Sequence, residues 1–120
     1  MAKMNDQVQE TINTVKPALV ATADASGKPN VSAKGSLRTI DDEHIAFADV
    51  KSPRTIANIK ENNKISIIVL GNEEQKGYRI WGTAVVKDSG DVFDTFAKAM
   101  AEKNMTVNNV VVIEVEEIEV

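Results

Sequence analysis

The sequence predicts a mainly β (α+β) fold, a closed or nearly closed antiparallel barrel of six strands with flanking helices. Three observations carry that expectation. The apolar residues are mostly Val, Ile and Ala, and β-branched side chains fit a pleated surface. Short turns join most of the apolar segments directly, which favours antiparallel pairing over parallel crossovers. Few stretches carry the apolar spacing of a helix. At 120 residues the chain suits one domain over 1–120, and a make-up of 42% hydrophobic and 27% charged residues argues against long disorder.

The elements follow in order. Val8, Ile12 and Val15 lie at helical spacing within Met4 to Val15, with Asn5 or Asp6 as N-cap, and Pro17 stops that helix. Ala18 to Ala23 is a short apolar strand. Asp24 to Pro29 is a turn in which Gly27 is free to take positive φ. Val31 to Ile40 reads as a single alternating strand: Val31, Ala33, Gly35 and Leu37 share one face, and Ser32, Lys34, Ser36 and Arg38 share the other. After a turn at Asp41 to Glu43, His44 to Asp49 should pair with it as a hairpin.

Ser52-Pro53 starts the next helix, with a side-chain cap and then Pro at the first helical position; it runs to about Asn62 and buries Ile56 and Ile59. Ile65 to Leu70 and Tyr78 to Lys87 are strands. Ser89-Gly90-Asp91 opens a helix that carries Val92, Phe93, Phe96, Ala97 and Met100 on one face. Val110 to Val120 is the last strand, and the consecutive acids Glu116 and Glu117 mark a bulge or bend in it.

Charge and residue counts exclude several functions. The net charge is −4, with both signs interspersed, so no basic face for nucleic acid is expected. There are no cysteines, hence no disulfides and no thiolate metal site. His44 is the only histidine, which leaves no His-rich metal site. No apolar run approaches the length of a membrane span, and a cytoplasmic protein follows as the default.

Three groups of residues could carry chemistry. Val50 to Thr55 places Lys51, Ser52, Arg54 and Thr55 around the first turn of a helix, where unpaired N–H groups and the helix dipole suit a phosphate; the plainer reading is a capped surface helix. The polar strand face of Ser32, Lys34, Ser36 and Arg38 could supply hydroxyls and a cation to a ligand, or be the solvated face of an edge strand. Trp81-Gly82 could stack on and admit a planar ligand, or serve a core or interface. Asp49 and His44 could exchange protons, but His44 beside its turn reads as exposed and inert. No carboxylate pair suggests a hydrolase.

Taken together the segments resemble the FMN-binding split-barrel family, which is related to pyridoxamine 5′-phosphate oxidase and to small bacterial FMN-binding proteins. The resemblance spans roughly Lys16 to Met100. It rests on Leu19-Val20-Ala21-Thr22 with the turn Asp24 to Pro29. It rests further on Ile45-Ala46-Phe47-Ala48-Asp49 followed by Ser52-Pro53-Arg54-Thr55 and Asn58 to Asn62, and on Trp81-Gly82-Thr83-Ala84.

The resemblance implies a split barrel that binds FMN at a twofold homodimer interface. Arg54 and Thr55, helped by Ser52, would hold the phosphate. Lys34, Gly35 and Ser36 would line the pyrimidine and ribityl side. Backbone groups of Phe47, Ala48, Asp49 and Val50 would run along the isoalloxazine edge, and Trp81 joins the candidate cofactor residues. The dimer is expected to use Ile65 to Leu70 and Val110 to Val115, strands more apolar than one small core requires.

The family's oxidases carry an Arg- and His-bearing segment beyond the barrel, where this sequence reads Glu114 to Glu119. The expectation is therefore a flavoprotein oxidoreductase or electron carrier, not an oxidase of pyridoxamine phosphate, with no catalytic acid or base assigned. The alternatives are a split-barrel binding module for haem or a deazaflavin, and a stress-related dimer with a vestigial site.

Overall fold

The computed structural model describes residues 2–120. The chain runs α1 (Asp6–Thr14), β1 (Ala18–Ala23), β2 (Pro29–Lys34), β3 (Arg38–Thr39), β4 (His44–Asp49), α2 (Pro53–Glu61), β5 (Lys64–Val69), β6 (Tyr78–Lys87), α3 (Asp91–Ala101) and β7 (Asn109–Glu119). The local chemistry accounts for most boundaries. Asn5 caps α1 by accepting the Val8 N–H at 3.0 Å. The Asp24 carboxylate accepts the N–H groups of Ser26 and Lys28, each at 2.9 Å, and Gly27 takes φ 89° in that turn.

The strands form one antiparallel sheet of seven, in the order β2-β1-β5-β6-β7-β4-β3. The expected six becomes seven because Val31 to Ile40 is two strands. Gly35 to Leu37 interrupts it, and the strands on either side lie at opposite ends of the sheet. Leu37 is buried in the core, three residues after buried Lys34, so strict alternation cannot continue through this segment. The curled sheet is thus spanned across its two open ends by a three-residue link.

Inside the curl, Val20, Ile45, Phe47, Ile67, Ile80 and Ile113 form the main core, closed by Ile12 of α1 and by Ile56 and Ile59 of α2. A second cluster lies under α3, where Phe96 packs with Ala46, Ala48, Val107 and Val110. β4 and β7 are therefore buried on both faces, which explains why they read as continuous apolar runs. The apolar character of Val110 to Val115 is accounted for by this protomer's own two cores.

The bulge read from Glu116-Glu117 is present: Trp81 pairs with Glu117 and Gly82 with Val115, so Glu116 is the extra residue. Gly82 serves that bulge. A Cβ there would collide with the Glu114 carbonyl oxygen and lie 2.7 Å from Ile113 Cγ2.

Candidate functional site

The inward face of β2 is polar, and its outward face carries Val31, 63% exposed. Asn30, Ser32 and Lys34 turn toward α2. The Ser32 hydroxyl lies 3.2 Å from that of Thr55, and Asn30 donates to the same Thr55 oxygen at 3.4 Å. Lys34, at the end of β2, is 9% exposed; its Nζ stands 5.5 Å from the centre of the Phe47 ring and donates to the Ser52 hydroxyl. Burial holds the Lys34 ammonium below the usual lysine range, while the Asp49 carboxylate pulls the other way.

Ser52 precedes α2 but its side chain makes no cap hydrogen bond, contrary to the sequence expectation. Its hydroxyl is taken by Lys34 instead. The first turn of α2 thus keeps N–H groups without a side-chain partner beside a buried cation, with Lys51 next to them. Asp49, 4% exposed, holds the turn in place: Oδ1 accepts the Ser52 N–H at 2.8 Å and Oδ2 accepts the Asn109 amide at 2.9 Å. Ser36 fixes the other wall, where its hydroxyl accepts the Ala48 N–H at 2.9 Å.

These groups open on a cleft of about 330 Å³. Lys34, Gly35, Ser36, Ala48, Val50, Lys51 and Ser52 all line it, so seven of the residues singled out from the sequence converge. Met100, Lys103 and Met105, around the end of α3, form the remaining wall. Sequence reasoning missed these three, because no local spacing links them to residues 33–52.

The other candidates lie elsewhere. The Phe47 ring is fully buried beneath Lys34 and the Asp49 carboxylate sits behind the turn, which leaves these two residues only their backbone to offer a ligand. Arg54 is exposed on the first turn of α2, outside the cleft lining. Thr55 is 2% exposed and points to β2 rather than to open space. Trp81 lines a separate groove of about 250 Å³ on the outer face of the sheet, with Leu19, Ala21, Val31 and Ile68. His44 is half-buried rather than exposed, and its Nδ1 lies 2.8 Å from Asp41 Oδ1.

The donor set fits a phosphate ester. A buried ammonium and a hydroxyl meet at one end of the cleft, beside the uncapped start of α2, where Arg54 is exposed just outside the lining. Among the described residues no group of His, Cys, Asp and Glu is arranged to hold a metal ion. Nor is any helix long and apolar enough to cross a membrane.

Comparison with known proteins supports the same grouping. The profile of the family described as "Pyridoxamine 5'-phosphate oxidase" matches residues 4–120, beyond the span the motifs alone suggested. HupZ of Group A Streptococcus is 33% identical with a TM-score of 0.85, over 97% of this chain and 98% of that one. An FMN-binding protein from Syntrophomonas wolfei subsp. wolfei is 24% identical with a TM-score of 0.84, over 95% of this chain and 83% of that one. HutZ, the heme storage protein from Vibrio cholerae, is 17% identical with a TM-score of 0.69, over 99% and 95% of the two chains. A search of the curated proteins finds no match. With a profile that covers nearly the whole chain and a curled antiparallel sheet to match, this protein belongs to the pyridoxamine 5′-phosphate oxidase family of split barrels.

Proposed function

We propose that the protein binds FMN and works as an oxidoreductase or electron carrier, as a twofold homodimer of single-domain protomers in the cytoplasm. The observation that carries this reading is the Lys34–Ser52 contact at the uncapped start of α2. A phosphate placed there meets an ammonium already largely stripped of water, helix N–H groups and the exposed Arg54. Bound FMN supplies one- and two-electron chemistry. The chain's own residues do the rest. Lys34, Ser52 and Arg54 bind the phosphate, and Gly35 and Ser36 border the ring. The Ser36–Ala48 hydrogen bond keeps the two walls of the cleft in register.

Structural relatives of similar fold are described as an FMN-binding protein, a heme storage protein and an F420 reductase. At 16–24% identity they share the fold alone, so the choice of FMN rests on the donors in the cleft. A second copy would cover the groove at Val31, Ile68 and Trp81, a half-exposed apolar face that no element of this chain covers among the described residues. That face replaces Val110 to Val115 as the expected dimer contact and would carry Trp81 toward the partner.

The test is a visible spectrum of the freshly purified protein, followed by titration with FMN, haem and a deazaflavin. FMN should bind at micromolar concentration or tighter, with its fluorescence changed. Preferential binding of haem or of the deazaflavin, or of none of the three, would overturn the proposal.

A further inference from the structure

A second concavity begins where the cleft ends. It holds about 550 Å³, more than the cleft's 330 Å³, and both are lined by Val50, Lys51 and Ser52. The turn that follows β4 therefore stands between two adjoining recesses. FMN ends at its phosphate, which the preceding reading seats at this turn. We propose that the recess beyond the turn accepts the nucleotide extension of a flavin dinucleotide, so that the site takes FAD as well as FMN. The inference rests on the assignment of Lys34 and Ser52 to the flavin phosphate.

The chemistry of the recess matches such an extension. Lys51 and Lys60 stand at its wall, and neither belongs to any of the ion pairs among the described residues; the one acid of the lining, Asp49, has its carboxylate engaged by the Ser52 N–H and the Asn109 amide. Two unpaired ammonium groups suit the second phosphate of a diphosphate link. Pro53, Ile56 and Ala57 give the recess an apolar α2 wall on which a purine face can lie. Opposite them, Asn108 donates its amide to the Val50 carbonyl at 2.9 Å, which fixes the side chain. Its carbonyl oxygen has no partner among the described residues and is free to accept from an exocyclic amine.

The experiment compares FMN and FAD by titration against the full chain and two variants, Lys60→Gln and Ala57→Phe. Both positions are exposed, so neither change should disturb the fold, which circular dichroism checks. FAD should bind within about threefold of FMN. Each variant should weaken FAD about fivefold, the scale of one exposed charged contact or a partly filled recess, and leave FMN unchanged. FAD binding more than about tenfold weaker than FMN would overturn the inference and leave the FMN reading intact. So would variants that weaken both flavins alike. If neither flavin binds, the FMN reading and this inference fall together; FMN binding without FAD binding overturns the inference alone.

Discussion

Lys34 and Ser52 face each other across the join between β2 and α2, with the ammonium donating to the hydroxyl that in most helices of this kind would cap the first turn. The contact links a buried charge to a helix start. It also predicts how the site responds to pH and to substitution.

Burial lowers the Lys34 pKa, with Asp49 opposing. Between that lowered value and the ordinary lysine value of about 10.4, the unfolded chain keeps a proton that the folded chain has released. The charge therefore costs stability below the window, and the cost is relieved as pH rises through it. Phosphate binding has the opposite dependence, because it needs the protonated amine. FMN affinity should fall with rising pH earlier than an ordinary lysine would dictate, and Lys34→Met should remove that phase while weakening FMN roughly ten- to a hundredfold at neutral pH. A wild-type profile that matches Lys34→Met would reject Lys34 as a phosphate ligand.

Arg54→Ala should weaken FMN roughly tenfold or more and leave riboflavin nearly unchanged, since the proposed role of the guanidinium, outside the cleft lining, is toward the phosphate alone. Thr55→Val should act differently. Thr55 is buried against Ser32 and Asn30, so losing its hydroxyl should lower stability by about 1 kcal/mol with little selectivity between the two flavins. Paired fluorescence titrations and thermal melts separate the two. Equal losses of FMN and riboflavin in Arg54→Ala would show that it acts through the fold or the ring.

Val31→Asp should break the proposed dimer. Val31 is 63% exposed on the outer groove, so a charge there should not unfold the protomer but would have to be desolvated in the dimer, a cost that Arg79 of the same groove, already paired with Glu119, offsets only in part. Sedimentation at micromolar concentration should show dimer for the wild type and monomer for the variant. A dimer that survives this change would place the interface elsewhere.

Gly82→Ala should destabilise the protein by about 1–3 kcal/mol, because its Cβ enters the space of Glu114 and Ile113 at the bulge. The denaturation midpoint should drop without a change in flavin selectivity. A neutral result would mean that the bulge relaxes freely.

Much of this was legible because local chemistry and tertiary structure agree. β1, β4 and β6 have the boundaries their apolar patterns suggest, and the double acid at 116–117 sits at the bulge. The break at Gly35 was legible only as far as a glycine inside a strand pattern marks a bend or a close backbone approach. Residues 31–40 keep a plausible alternation throughout, and only the sheet order shows that the chain changes edge there. The cleft was half legible. Lys34, Ser36 and Ser52 lie on segments joined by one hairpin, whereas Lys103 reaches them through packing of α3 on β4 and β7. Trp81 and Arg54 carried suitable chemistry, but periodicity alone does not say which recess a side chain adjoins.

The three-residue link between β2 and β3 gives ligand occupancy a mechanical meaning. The cleft lies beside that link, lined by Lys34 of β2, by Gly35 and Ser36 of the link and by Ala48 of β4, next to the other edge strand. A molecule seated there acts as a clasp: it adds RT ln(1 + [L]/Kd) to global stability, and it ties the β2 edge to β4 through contacts the empty protein lacks. Amide exchange should therefore slow on ligand addition most strongly in residues 34–38 and at the start of α2. The doubly buried β4–β7 pair, already protected in the empty protein, should change only by the global increment.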